Sequence, residues 1–137
     1  MTVDFTPLDQ LRPGGIAVVG IPWDEYSSFM RGPAEAPAHV RQAMYGGSAN
    51  LCTENGVDLG ADSRFGWVED LQLGSGEEVL GQIESGVEAL LQKEARVISV
   101  GGDHAVTFPI LRAFAKRYEG LSILHLDAHP DLYHEFE

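Results

Sequence analysis

The stretch RVISVGGDHAVTFPILRAFAKR, residues 96–117, holds one complete strand–turn–helix unit. It opens on an apolar run with β-branched residues, Arg96–Val100, which predicts a buried strand. A Gly-Gly pair then lets the backbone turn sharply and approach a ligand, and the turn carries Asp103 and His104. A helix is expected to open at Thr107, since a proline follows within its first turn. Its inward face is expected to hold Ile110, Leu111 and Phe114.

The same alternation of strands and helices runs through the rest of the chain. Residues 15–23 (GIAVVGIPW) predict a buried strand, residues 36–47 a short helix, and the residues around Trp67 another strand. A helix capped by Ser75 follows, and Leu121–Leu126 predicts a further strand. The helix that follows Ser75 has an apolar face made of Val79, Leu80, Ile83, Val87, Leu90 and Leu91. Strands that alternate with helices indicate an α/β fold, with a mostly parallel sheet covered on both faces.

The composition is that of a globular protein with an acidic surface. Of 137 residues, 44% are hydrophobic, and the acidic residues outnumber Lys plus Arg by 21 to 9, a net charge of −12. This charge repels phosphate backbones and argues against nucleic acid as a partner, whereas it favours cationic ligands and metal ions. No apolar run approaches the roughly 18 residues that a membrane span requires, so no membrane association is expected.

The single cysteine and the first residues of the chain bear on the compartment. Cys52 has no partner for an internal disulfide, which favours a reducing environment, and it is expected to be a buried or half-buried small side chain. The opening residues MTVDFTPLDQ lack the basic and apolar regions of a signal peptide. These features favour the cytoplasm.

The residues with the clearest chemistry follow the last predicted strand, in SILHLDAHPD (Ser122–Asp131). In extended backbone, Asp127, His129 and Asp131 point to the same side, because side-chain direction alternates with period two. Ligands of open parallel sheets gather beyond the carboxyl ends of the strands, where His104 is also expected. Two imidazoles and two carboxylates suit Mn²⁺, Zn²⁺, Fe²⁺ or Co²⁺ better than Ca²⁺.

Other polar residues have simpler interpretations. Asp103 is expected to be a turn or supporting residue, and His125 a packed core histidine inside the strand. His39 is expected to be solvated on a surface helix, and His134 to be a polar loop residue. The sequence Gly74-Ser75-Gly76 begins like a dinucleotide-binding loop but lacks the third glycine, so it is interpreted as a turn before a helix. No organic cofactor is therefore expected.

Two motifs give the chain a resemblance to the ureohydrolases, the arginases, agmatinases and their relatives. Gly101–His104 matches the Gly-Gly-Asp-His motif of that family, and Asp127–Asp131 matches Asp-Ala-His-x-Asp. Tyr26–Met44 is similar to the family's N-terminal Ser-x-x-x-Gly-Pro…Ala-Pro…Arg segment, and the tail after Asp131 resembles plant-type arginases and agmatinases. The resemblance implies a three-layer α/β/α enzyme with two Mn²⁺ ions that hydrolyses a small cationic guanidino substrate, assembled as a trimer or hexamer.

The resemblance also implies roles for the four candidate ligands. His104 would bind one ion and His129 the other, and Asp127 would bridge both. Asp131 would bind the first ion and orient the attacking water, which makes it the one catalytic residue expected within the chain. The family's third motif, Asp-x-Asp, would lie beyond Glu137. Residues 1–137 are therefore expected to be the N-terminal part of a single ureohydrolase domain, inactive alone.

Agmatine is the expected substrate. Many arginases place an asparagine two residues after the last motif aspartate, and this chain has Tyr133 there, which suits a substrate without an α-carboxylate. Arginase and guanidinobutyrase activities remain alternatives, as does a truncated, non-catalytic paralogue that binds metal. A histone-deacetylase-like hydrolase is disfavoured because it requires a His-His pair.

Overall fold

The computed structural model describes residues 5–131 and contains a three-stranded parallel sheet with helices on both of its faces. The strands are β1 (Ile16–Ile21), β2 (Phe65–Trp67) and β3 (Arg96–Gly101). The helices are α1 (Ala36–Tyr45), α2 (Glu78–Gln92) and α3 (Thr107–Arg117), with 3₁₀ turns at Pro33–Glu35 and His104–Val106. The strand order is β2-β1-β3 and both pairings are parallel. The predicted parallel α/β arrangement is confirmed.

The centre of the core lies between β1 and α2. Ala17, Val19 and Ile21, on one face of β1, are fully buried. The residues of α2 that pack into this core are Val79, Ile83, Val87, Leu90 and Leu91. These positions recur at helical spacing, so the hydrophobic effect orients α2 along the sheet as the sequence predicts. The last turn of α2 also packs against Ala113 of α3, which lies on the same side of the sheet.

Helix α1 covers the opposite face of the sheet. A Cβ atom built on Gly20 would collide with Pro37 of α1, so a glycine is needed in β1 where the helix approaches. Arg41 of α1 forms an ion pair with Asp70, Nη1 to Oδ1 2.7 Å, and the indole Nε1 of Trp67 donates to the same oxygen at 3.2 Å. This network ties α1 to the end of β2. The helices on two faces form an incomplete three-layer α/β/α arrangement.

Two predictions about the edge of the sheet are wrong. Strand β3 is only half-buried, with Ile98 48% exposed, because no strand within residues 5–131 pairs with its outer edge. The predicted strand at Leu121–Leu126 is absent from that part of the chain, where Leu124 and Leu126 are 85% and 87% exposed. An extended segment forms a ladder only beside a partner, and these residues have none there.

Two local predictions also fail. Ser75 does not cap α2: the cap position is Glu77, and the Val79 amide donates to the carbonyl of Gly76, whose positive φ places a turn after Ser75. Cys52 is exposed, since it lies in a loop held by a single antiparallel bridge to Asp58. Among residues 5–131, no helix combines the length and the apolar character needed to cross a bilayer.

Candidate metal centre

His104 is positioned by the turn that follows β3. Gly102 lies so close to Trp23 that a Cβ atom there would overlap the Trp23 carbonyl oxygen, and the Asp103 amide donates to that oxygen at 3.1 Å. The glycine is therefore required for packing of the turn against the chain after β1, rather than for the close approach of a ligand that the sequence suggested. The turn ends in the 3₁₀ segment that begins at His104.

Asp103 holds this turn in place. Its Oδ1 accepts a hydrogen bond from the Ala105 amide at 3.0 Å, and its Oδ2 accepts one from the Tyr26 amide at 2.8 Å. The residue is buried, and both carboxylate oxygens are used by backbone donors, as expected of a turn or supporting residue. With Asp103 fixed in this way, His104 is left exposed at the carboxyl end of β3.

The structure brings His104 and Asp131 into direct contact. Nε2 of His104 lies 3.1 Å from Oδ2 of Asp131, although the two residues are separated by a helix and a loop. His125 completes a group of three: its ring is nearly parallel to that of His104, with centroids 5.9 Å apart. One ligand atom from each of the three residues lies within 4.8 Å of the other two. A nitrogen, nitrogen and oxygen set of this kind fits a divalent transition-metal ion.

Asp127 and His129 lie outside this group of three. Oδ1 of Asp127 accepts a hydrogen bond from the His129 amide at 3.0 Å, and His129 Nδ1 is 3.8 Å from the same oxygen. Oδ2 of Asp127 is 3.7 Å from Nε2 of His125. The His129 backbone bond, with smaller electrostatic contributions from His125 and His104, lowers the pKa of the Asp127 carboxyl. Asp127 is therefore an anion at neutral pH, as a metal ligand must be.

His125 is the member of this group of three that the sequence analysis did not predict. Its side chain is 40% exposed rather than packed in a core, because the segment around it is not part of a sheet. A signal was present: His125, Asp127, His129 and Asp131 occupy four successive alternate positions, so the period-two pattern extends one step further upstream. Tyr133 and His134, the subjects of two further predictions, lie outside the described residues.

The candidate ligands fall within a region that matches a known protein family. A family model described as the arginase family matches residues 14–137. The chain belongs to the arginase family. This membership confirms the resemblance drawn from the Gly101–His104 and Asp127–Asp131 motifs.

Members of the arginase family with different names match this chain at comparable levels. Arginase 2, chloroplastic/mitochondrial, of Arabidopsis thaliana is 38% identical over 130 residues, covering 88% of this chain and 38% of the plant protein. The agmatinase of Citrobacter koseri is 31% identical over 147 residues, covering 97% of this chain and 44% of that protein. The chain therefore spans less than half the length of these relatives, and they do not distinguish an arginase from an agmatinase.

Solved structures of other proteins share this fold. Proclavaminate amidino hydrolase of Streptomyces clavuligerus has a TM-score of 0.80 and 26% identity, covering 97% of this chain and 44% of that chain. The more distant formiminoglutamase of Trypanosoma cruzi, at 23% identity and a TM-score of 0.64, shares the fold over 85% of this chain and 42% of its own. That structure was determined with Mn²⁺.

Proposed function

We propose that this chain contributes half of the metal centre of a manganese-dependent ureohydrolase that converts agmatine to putrescine and urea. The observation that supports the proposal best is the 3.1 Å contact between His104 and Asp131, formed by residues of two separate family motifs. It lies beyond the carboxyl end of a parallel strand, where open α/β sheets bind their ligands.

The proposed roles follow the chemistry of each donor. His104 and Asp131 would hold one ion, His129 the other, and Asp127 would bridge them. Manganese bound there would supply a water of lowered pKa, able to attack a guanidinium carbon at neutral pH. Asp131, fixed beside His104, would orient that water, and the acidic residues around it would favour the cationic substrate.

The cleft beside His104 supports a substrate without an α-carboxylate. The segment 26–30 and the turn 102–105 border an open cleft of about 430 Å³, and Phe29 and Met30 beside it are 90% and 65% exposed. No lysine or arginine within the described chain lines this cleft; nearby Arg31 lies 3.4 Å from Asp24. An anionic group would find no lysine or arginine there, whereas an aliphatic chain would pack against Phe29 and Met30. Arginase and guanidinobutyrase remain the alternative activities.

The organisation of the protein is also a proposal. Residues 1–137 would be the N-terminal part of a single ureohydrolase domain, which agrees with the 38–44% of each relative that the chain matches. The complete protein would be a homo-oligomer, trimeric or hexameric, located in the cytoplasm, where an exposed free thiol such as Cys52 stays reduced. The net charge of −12 on these 137 residues argues against nucleic acid as a partner.

Urea release tests the proposed function. The complete reading frame and the 137-residue chain would each be purified with Mn²⁺ and assayed with agmatine, arginine and guanidinobutyrate. Agmatine should be the best substrate of the complete protein, and the 137-residue chain alone should release no urea. His104→Asn in the complete protein should lower kcat/KM at least about 100-fold, because it removes a ligand. His39→Asn, an exposed histidine in α1, is the matched control and should leave the rate unchanged.

Each contrary result has a distinct meaning. If arginine is the better substrate, the protein is an arginase and the interpretation of the cleft is wrong. If neither chain releases urea from any of the three compounds although both bind Mn²⁺, the protein is a non-catalytic, metal-binding paralogue and not a hydrolase.

A further inference from the structure

One carboxylate closes the base of the loop that borders the cleft beside His104. Oδ2 of Asp24 accepts a hydrogen bond from the Gly32 amide at 2.7 Å and another from the Ala34 amide at 3.1 Å. The Asp24 side chain is only 13% exposed, so water competes little for these bonds. The two bonds bring the ends of the segment 24–34 together, and this segment therefore forms a closed loop.

The charge of Asp24 strengthens the closure. Hydrogen bonds from the Gly32 and Ala34 amides lower the pKa of the Asp24 carboxyl below its ordinary value of 3.8, so the side chain is an anion at neutral pH. Hydrogen bonds to an ionised acceptor are about twice as strong as those between neutral groups. The contact with Arg31 is weaker, since Nη1 lies 3.4 Å from Oδ1 and the arginine side chain is 59% exposed. The backbone bonds therefore hold the loop closed.

The backbone at Gly32 is shaped for this closure. Its φ angle is 136°, in a region that favours glycine over other residues. A Cβ atom at Gly32 would meet no other atom within 4 Å, so the glycine is needed for its backbone conformation and not for space. The amide that donates the shorter bond to Asp24 thus belongs to the residue whose conformation turns the chain back.

A second contact fixes the loop relative to the turn that carries His104. The Tyr26 amide donates to Oδ2 of Asp103 at 2.8 Å, and Asp103 directly precedes His104. The Tyr26 ring also packs edge-on against the buried Trp23, with ring centroids 4.8 Å apart. The loop is therefore anchored at two points, one beside the candidate site and one at its own base.

Phe29 and Met30 lie between these two anchors. Their side chains are 90% and 65% exposed, so few packing contacts of their own hold them, and their positions depend on the ends of the loop. We propose that Asp24 is a positioning residue for the substrate: by closing the loop 24–34, it holds Phe29 and Met30 where the aliphatic chain of a guanidino substrate packs. This inference rests on the proposed function, and Asp24 itself touches no substrate.

Kinetics of Asp24→Ala in the complete protein test the positioning role. This variant should raise KM for agmatine roughly tenfold and change kcat less than about twofold, because the contact it weakens is with the aliphatic chain and not with the reacting guanidinium. Methylguanidine, which has the guanidinium group without the long chain, should inhibit the variant and the unsubstituted protein equally. Partial unfolding would instead lower kcat and leave KM unchanged. Asp24→Asn should restore most of the affinity, because its amide oxygen can accept both backbone bonds.

Hydrogen–deuterium exchange of the 137-residue chain measures the loop without requiring activity. In Asp24→Ala, the amides of residues 25–34 should exchange at least about tenfold faster, while those of α2 stay unchanged. Gly32→Ala strains the same closure and should act in the same direction. Asp58→Ala is the matched control: Oδ1 of Asp58 accepts from the Gly60 amide at 2.9 Å in a loop away from the cleft. This control should change neither the exchange of residues 25–34 nor KM.

Three results would overturn the inference. The first is unchanged exchange of residues 25–34 in both Asp24→Ala and Gly32→Ala. The second is faster exchange with an unchanged KM for agmatine, and the third is an equal loss of affinity for agmatine and methylguanidine. If the unsubstituted complete protein releases no urea, the proposed function fails and the substrate role of Asp24 fails with it. The exchange measurement would still show whether Asp24 closes the loop, so the two failures are distinguishable.

Discussion

The two sides of the sheet differ in how much the chain itself covers them. The closed flank, β1 with β2 and α2, contains residues such as Val19 and Ile83 that are fully buried. The open flank, the outer edge of β3 with residues 121–131, exposes Ile98 by 48% and Leu126 by 87%. They differ because only the closed flank has packing partners among the described residues.

The residues that stabilise the fold and the residues that could bind metal lie on different flanks. The closed flank contains the core clusters, whereas the candidate ligands His104, His125 and Asp131 all belong to the open flank or to the turn beside it. An unpaired strand edge is also a site where chains associate, because its amide and carbonyl groups are free to pair. Substitutions in the closed flank should therefore change folding, and those in the open flank should change association or binding.

The largest expected effect comes from removing a core side chain of the closed flank. Ile83→Ala should lower the free energy of unfolding by about 2–5 kcal/mol, because it leaves a cavity between α2 and β1. Ile123→Ala makes the same chemical change in the open flank, where the side chain is 61% exposed, and should cost less than about 0.5 kcal/mol. Urea unfolding followed by circular dichroism measures both. Equal losses would show that residues 121–131 are packed in solution, which would remove the contrast.

The second effect is on association through the open flank. Leu124→Lys combined with Leu126→Lys should weaken self-association of the 137-residue chain roughly tenfold, because charge replaces two exposed leucines of the open flank, where no strand among residues 5–131 pairs with the outer edge of β3. Val40→Lys with Val57→Lys adds the same charge at exposed sites outside that flank and should have a smaller effect. Sedimentation velocity at several concentrations compares the two. If both pairs act alike, net charge rather than the open flank controls association.

The closed flank could be predicted from sequence because its signals are local. The period of apolar residues in α2 and the β-branched run of β1 each specify an element and its buried face without reference to distant residues. The open flank could not be predicted in this way. Leu121–Leu126 has a strand-like pattern, but a strand also needs a neighbour, and the sequence of one segment does not reveal whether that neighbour is present.

The candidate site was partly predictable for the same reason. Motif spacing identified His104 and Asp131 as candidates, and the structure places them in contact. The sequence analysis was wrong about His125, because it placed this residue in a buried strand, whereas residues 121–126 form no strand. The sequence analysis also gave Gly102 a role in the close approach of a ligand. The structure shows instead that a Cβ atom at this position would overlap the carbonyl oxygen of Trp23. Long-range packing of this kind leaves no local pattern.

A smaller effect distinguishes charge from packing at the junction of α2 and α3. The Lys116 ammonium lies 2.5 Å from Oε1 of Glu84, and Arg112 Nε lies 3.1 Å from Oε2. Hydrogen bonding to Lys116, helped by the charge of Arg112, lowers the pKa of Glu84 below its ordinary value of 4.5. Because the folded pKa is lowered, the stabilisation is fully present above about pH 4.5 and is lost as the pH falls through the folded pKa.

Glu84→Gln should therefore lower the Tm at pH 7 by less than Ile83→Ala does, and the difference from the unsubstituted chain should shrink below pH 4.5. Thermal unfolding between pH 3 and pH 7 measures it. Glu78→Gln, in the first turn of the same helix, is the control and should show a smaller pH-dependent difference. A pH-independent loss in Glu84→Gln would mean that the side chain acts through packing alone.

The smallest effect tests whether a short, well-formed ion pair stabilises the closed flank at all. In the loop before β2, Arg64 Nη2 lies 2.7 Å from Asp62 Oδ2, and hydrogen bonds from the Arg64 side chain and amide lower the pKa of Asp62 to about 2. The Arg64 side chain is 72% exposed, so solvent screens the pair. Arg64→Ala should raise the pKa of Asp62, measured by NMR titration of its carboxyl carbon, and should lower the urea midpoint at pH 7 only slightly, by less than Glu84→Gln does. A larger fall would show that this loop contributes to holding β2 beside β1, and the closed flank would then extend beyond its buried core.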